Sequence, residues 1–146
     1  MKIYIGADHA GFKLKEAMKP LLKQMGFDFE DLGNTKYVEH DDYPIFAFKV
    51  AKAVAKTKSF GILFCGSSQG VCIAANKVKG IRAVAVNTVK DAYFSRIHND
   101  ANVLCLSGWN IKKTLAEKII KTWLTTLFSN EERHKRRIQM ITNHEK

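Results

Sequence analysis

Apolar and polar residues follow one another in blocks that switch repeatedly between a period of two and a period near 3.6. Residues 2–7 read as a first strand, and Asp8-His9-Ala10-Gly11 as its exit turn. Phe12, Leu14, Met18, Leu21, Leu22 and Met25 then recur at helical spacing, which predicts a helix over residues 11–25. Pro20 lies inside that helix as a point of kinking or loosening, and Gly26 ends it. Residues 27–32 read as a second strand and 33–42 as a polar loop. Tyr43-Pro44 opens a second helix carried by Ala47, Val50, Ala51, Val54 and Ala55. Residues 61–65 are a short apolar run, the pattern of a strand buried on both faces. A small polar turn follows over 66–70, then a helix over 71–77. Further strands are expected at 81–86 and 102–106, with helices at 89–97 and 111–128. A last helix starts after Ser129-Asn130 and reaches Met140 or beyond. Strand and helix alternate throughout, which predicts an α/β fold with a parallel sheet, helices on both faces and right-handed crossovers.

In such sheets ligands bind outside the carboxyl ends of the strands. That edge carries Asp8-His9, Cys65 to Gly70, and Ser107-Gly108. The strand–turn–helix around Cys65-Gly66-Ser67-Ser68-Gln69-Gly70 is a candidate anion pocket, because glycine admits close backbone approach and the first helical turn has free N–H groups. Cys65 stands at its lip as a candidate base or nucleophile. A thiol beside a helix N-terminus is expected to lose its proton more readily. His98-Asn99-Asp100 follows a helix and precedes a strand, so it is expected at the opposite edge of its own sheet. If His98 is catalytic, it acts in the site of a second chain, and the sequence hints at a homodimer with shared active sites.

Composition narrows the picture. The 146 residues suit a single domain, 1–146. No apolar run approaches the ~18 residues of a membrane span, and the N-terminus enters a strand directly; together these suggest a cytoplasmic protein without a membrane partner. The three cysteines show no paired spacing, against a disulfide framework or a zinc site. Cys72 and Cys105 lie in apolar segments and read as core. The net charge of +10 is compatible with anionic ligands, but most lysines read as solvated helix faces. The exception is the concentrated Arg133-His134-Lys135-Arg136-Arg137.

Asp8-His9-Ala10-Gly11, Asp42-Tyr43-Pro44, Cys65-Gly66, Gly70, Ile73-Ala74-Ala75-Asn76-Lys77, Gly80-Ile81-Arg82-Ala83, His98-Asn99-Asp100-Ala101-Asn102-Val103 and Arg133…Arg137 occur in order over nearly the whole chain. In these residues the chain resembles the B-type ribose-5-phosphate isomerases, a family that includes galactose-6-phosphate and allose-6-phosphate isomerases. The resemblance implies a Rossmann-like three-layer α/β/α sandwich with a five-stranded parallel sheet and an extra C-terminal helix. It also implies a homodimer or dimer of dimers, no metal or other cofactor, and aldose–ketose isomerisation of a phosphosugar. It assigns Cys65 as the base. One branch of the family has a glutamate where Val71 stands here, so the chain resembles the cysteine branch. The amides from Gly66 to Gly70 then form the oxyanion hole, Ser67 adds a hydroxyl, and Ser68 stands where the family has glycine. The resemblance makes His98 the acid that opens the sugar ring, Asp8 a partner of a substrate oxygen, and Asn99 a holder of substrate oxygens. Tyr43 either lines the pocket or packs. Arg133 and Arg137 share a helix face and can clamp a phosphate, and the resemblance implies His9 as the third phosphate contact. Trp109 stands where the family commonly has an arginine that reaches the neighbouring site's phosphate.

Two other readings remain at this stage. One is isomerisation of a six-carbon phosphosugar. The other is a non-catalytic nucleotide- or nucleic-acid-binding module, suggested by the charge. The second lacks a GxGxxG after the first strand, a GKS/T loop and interleaved aromatic and basic residues.

Overall fold

A computed structural model describes residues 1–145 of the chain. The strands are β1 (Lys2–Ala7), β2 (Asp28–Asp31), β3 (Phe60–Cys65), β4 (Ala83–Ala85) and β5 (Val103–Ser107). The helices are α1 (Phe12–Gln24), α2 (Tyr43–Thr57), α3 (Gln69–Ala75), α4 (Val89–Asn99), α5 (Lys113–Thr125) and α6 (Glu132–His144). All strand pairs are parallel and the sheet order is β2-β1-β3-β5-β4.

Strand alternation divides the core in two. Ile3, Ile5, Ala7, Ile62, Phe64, Leu104 and Leu106 point to one face, against Leu14, Met18 and Leu22 of α1, Ala92 of α4 and Ile119, Ile120 and Trp123 of α5. Tyr4, Leu63, Cys65, Val103 and Cys105 point to the other, against Ala47, Val50 and Val54 of α2 and Val71 and Ala75 of α3. Burial on both faces explains why these strands read as continuous apolar runs. The edge strands are weaker. β4 is only three residues long, and the Asn76 amide covers its rim, accepting from Ala83 N–H at 2.8 Å and donating to Ala83 O at 2.9 Å.

The helix ends follow local chemistry. α1 runs through Pro20, which lies on its exposed side. It then closes at Gly26, whose φ is +81°, with Gly26 N–H bonded to Lys23 O and Phe27 N–H to Leu22 O. The Thr88 hydroxyl caps α4 by accepting from Asp91 N–H at 3.0 Å. Several boundaries differ from the periodicity. α3 begins at Gln69 rather than 71, so Gln69 and Gly70 belong to the helix and not to the turn. α4 extends to Asn99, which places His98 and Asn99 in its last turn. α5 is shorter than the 111–128 pattern.

The chain leaves β1 for β2 on one side and returns to β3 on the other. The carboxyl ends of β1 and β3 therefore flank a topological switch point, where Asp8 and Cys65 emerge.

Candidate active site

A cavity of about 450 Å³ opens at this switch point, lined by Asp8, His9, Tyr43, Cys65, Ser67 and Trp109, among others. Asp8 is 6% exposed, and its Oδ1 accepts the Gly11 N–H at 3.0 Å. Gly11 has to be glycine because a Cβ there would lie 2.3 Å from the Phe64 carbonyl. Burial pushes the Asp8 carboxyl above its usual range, only partly offset by the Gly11 amide.

The turn after β3 is pinned by the exit of β5. Ser107 Oγ donates to Gly66 O at 2.5 Å, Gly108 N–H to Cys65 O at 2.8 Å, and Trp109 N–H to Gly66 O at 3.2 Å. Trp109 is 73% exposed, and its ring lies so close over Gly66 that a Cβ there would sit 2.4 Å from it. Tyr43 packs in the same way on Gly70, where a Cβ would meet the ring at 2.7 Å. Tyr43 thus lines the cavity and packs at once.

Cys65 corrects the expectation of an acidified thiol. The sulfur is buried, and that burial pushes the thiol above its usual range. The amides of Val71, Ser68 and Ser67 pull it back, and the Asp8 carboxylate opposes them. The amides expected to form an oxyanion hole are thus partly directed at the sulfur itself. A lowered thiol exists elsewhere: the Cys105 thiol donates to Cys72 and brings it to about 7. Cys72 is half-buried and faces Ala83 O at 3.4 Å, away from the cavity lining, so its low value does not make it a base for this site.

Ser68 has φ +67° and is 1% exposed. This left-handed residue stands where the family has glycine, and it sets the start of α3. Ser68→Gly is therefore expected to stabilise the protein by about 1 kcal/mol by removing a Cβ from a left-handed backbone. The measurement is the midpoint of urea unfolding; an unchanged or lowered midpoint would show that the serine is not strained.

The remaining expected residues lie apart. His98, Asn99, Arg133, His134 and Arg137 line a second cavity of about 330 Å³ between α4 and α6, which shares no lining residue with the first. The His98 ring stacks on Phe94 with centroids 4.9 Å apart and meets His134 at 4.8 Å. His134 is buried and its Nδ1 lies 2.6 Å from Ser129 Oγ. Desolvation holds it below the usual histidine range, with Arg133, His98 and Arg137 adding repulsion. Arg133 and Arg137 are exposed, and Arg133 pairs with Glu131 at 3.0 Å.

Pattern reading missed Asp41. It lies in the irregular loop before α2, and no periodicity marks it. Its Oδ1 lies 2.7 Å from His9 N and 2.9 Å from His9 Nδ1. Asp8, His9 and Asp41 place potential ligand atoms within 4.8 Å of one another, the one such group among the described residues. Asp8 and Asp41 are already engaged by amide donors and the His9 ring. We read the trio as a hydrogen-bonded network.

Residues 3–141 match the family described as Ribose/Galactose Isomerase. The probable ribose-5-phosphate isomerase B of Mycoplasma genitalium is 44% identical over 146 residues, covering 99% of this chain and 95% of the relative. Ribose-5-phosphate isomerase B of Mycobacterium tuberculosis is 39% identical over 147 residues, covering 100% and 91%. The crystal structure of the Mycoplasma genitalium enzyme with bound ribulose 5-phosphate matches with a TM-score of 0.95 at 43% identity, covering 99% of this chain and 95% of that one. Ribose-5-phosphate isomerase B of Clostridium thermocellum matches at 0.95 and 42% identity, covering 99% and 97%. The chain belongs to the ribose/galactose isomerase family. Its fold is the α/β fold of these isomerases, with a five-stranded parallel sheet and six helices.

Proposed function

We propose that this protein interconverts ribose 5-phosphate and ribulose 5-phosphate through an enediolate, with Cys65 as the base. The observation that carries this reading is the switch-point cavity. It joins a thiol ringed by amides to a buried carboxyl, in a chain whose relatives along their whole length bear that activity in their names. The Cys65 thiolate takes the C2 proton of the open aldose, and the C1 oxygen gains the charge of the enediolate. The thiol returns the proton to C1, while the O2 proton passes to O1 and the ketose forms. Hydrogen and electrons stay within the sugar, so the balance requires no redox cofactor. Gly66, Ser67 and Gly70 line the amide-rich wall with Ser68 buried behind it, and the Ser67 Oγ, which accepts the Gln69 N–H at 3.4 Å, keeps its own proton to donate to the enediolate. Asp8, raised by burial, hydrogen-bonds a sugar oxygen.

The separation of the two cavities supports a homodimer in which His98 and Asn99 of one copy complete the Cys65 cavity of the other. His98 then protonates the ring oxygen, Asn99 holds substrate oxygens, and Arg133 and Arg137 meet the phosphate together with His9. Both half-sites are flanked by exposed apolar side chains suited to such contact: Ile73 beside Cys65, Met140 and Ile141 beside Asn99. Dimers pairing into tetramers fit the same scheme. No helix among the described residues is long and apolar enough to cross a membrane. We place the protein in the cytoplasm, as one sugar-phosphate isomerase domain, in keeping with three free cysteines.

The direct test is ketose formation from ribose 5-phosphate by the purified protein, with allose 6-phosphate and galactose 6-phosphate in parallel. Absence of turnover on ribose 5-phosphate, with turnover on a hexose phosphate, would move the assignment to the six-carbon sugar. The pH profile tests the base. The thiolate is the active form and burial raises the thiol, so kcat/KM is expected to climb about tenfold per pH unit through neutrality into the alkaline range. A plateau already reached at pH 7 would mean that groups of the second copy lower the thiol in the assembled protein.

A further inference from the structure

We propose that Asp41 is a positioning residue for His9, holding its imidazole with Nδ1 turned inward and Nε2 turned to the phosphate of the substrate. The inference rests on the reading of His9 as a phosphate contact.

Asp41 grips His9 twice through one oxygen. Oδ1 accepts the His9 backbone N–H at 2.7 Å and lies 2.9 Å from the ring Nδ1. The carboxylate can only accept, so the proton sits on Nδ1 and Nε2 is the remaining polar atom of a ring that lines the Cys65 cavity. The second oxygen, Oδ2, accepts from Asn34 Nδ2 at 3.1 Å, which fixes the plane of the carboxylate. The Asp41 side chain is 7% exposed, so its bonds compete little with water.

The grip is anchored in the core. Lys15 of α1 is fully buried, and its ammonium donates to the Asn34 carbonyl and to Asp31 Oδ2, the latter at 2.6 Å. Asp31 Oδ1 in turn accepts Gly33 N–H at 2.9 Å. A continuous polar chain thus runs from the underside of α1 through the loop before α2 to a ring at the cavity mouth. Lysine is rarely buried without such pairing, and here the pairing ends on a substrate-facing group.

The charged groups facing His9 are Asp41, Asp8 and Glu39, with the His40 ring 5.9 Å away and the Tyr37 ring 6.4 Å away. The Asp41 hydrogen bond is the largest influence, and with the other two carboxylates it raises the imidazole above its ordinary value. A raised histidine stays cationic further into the neutral range, where it opposes a phosphate dianion.

The test is Asp41→Asn in the purified full-length protein. NMR titration of the His9 ring, in the absence of substrate, should show its pKa falling and the preference for Nδ1–H lost. With ribose 5-phosphate, KM should rise about tenfold at pH 7.5 while kcat stays within about twofold, the signature of lost uniform binding. The pH at which KM begins to climb should move down. Adding Asp41→Asn to His9→Ala should change KM no further, because the one acts through the other. Should Asp41→Asn fold poorly, Asn34→Ala removes only the Oδ2 anchor and should move the His9 titration in the same direction by less. An unchanged His9 titration, or KM effects of Asp41→Asn and His9→Ala that multiply, would overturn the proposal. If His9→Ala leaves KM unaltered, the phosphate reading of His9 fails, while the ring titration still decides whether Asp41 holds it.

Discussion

Cys65→Ala is expected to lower kcat for ribose 5-phosphate about a thousandfold while moving KM by less than about threefold. The magnitude is that of removing a proton-transfer group from a site whose binding contacts survive. Cys65 ends β3 at the switch point, with the amides of Val71, Ser68 and Ser67 directed at its sulfur. Two other groups in the cavity can take a proton, and under the proposed scheme each has another role, Asp8 on a sugar oxygen and His9 Nε2 on the phosphate. Asp8 Oδ1 holds the Gly11 amide, and His9 Nδ1 faces Asp41. Cys72 is the more acidic thiol, yet it faces Ala83 O rather than the cavity. Cys72→Ala is therefore expected to leave kcat within about twofold. Full activity in Cys65→Ala, or a collapse in Cys72→Ala with its fold intact by circular dichroism, would reassign the base.

The second large effect concerns pairs of inactive proteins. Cys65→Ala and His98→Ala are each expected to be nearly inactive alone, yet an equimolar mixture, unfolded and refolded together, should recover about a quarter of wild-type activity. In a homodimer with shared sites, half of the randomly formed dimers are mixed. Each mixed dimer has one site carrying both substitutions and one carrying neither. The motivation is geometric: Cys65 and His98 line cavities with no residue in common, at opposite edges of the sheet. If one chain built a whole site by itself, no mixture of the two variants would regain activity. Size-exclusion chromatography of the wild-type protein gives the independent check, because a monomer at assay concentration would remove the basis of the experiment.

The residues differ in how far they could be read from the chain alone. Cys65 and the Gly66–Gly70 segment were legible because a buried strand followed by a glycine turn is a local signal. For Ser68 the resemblance gave only that the family has glycine there, and the left-handed backbone at +67° came from the structure. The protonation of Cys65 was not legible. It sums burial by α2 and α3, three amides and the Asp8 carboxylate, and burial is the largest of these. The start of α3 is only one contributor, and burial outweighs it. By resemblance Trp109 replaces an arginine that reaches a neighbouring site; where its ring lies was not legible, and it covers Gly66 of its own chain.

By itself the sequence determined the alternation of strands and helices, the two-sided burial of the central strands, and the edge of the sheet where Asp8 and Cys65 emerge. Each follows from side-chain polarity and backbone preference within a few neighbouring residues. Only the tertiary structure decided the order β2-β1-β3-β5-β4, the partnership of Asp41 with His9, and the placement of Cys65 and His98 in two separate cavities. These depend on contacts between segments far apart in the chain, and the energy of such a contact is set by what surrounds it after folding.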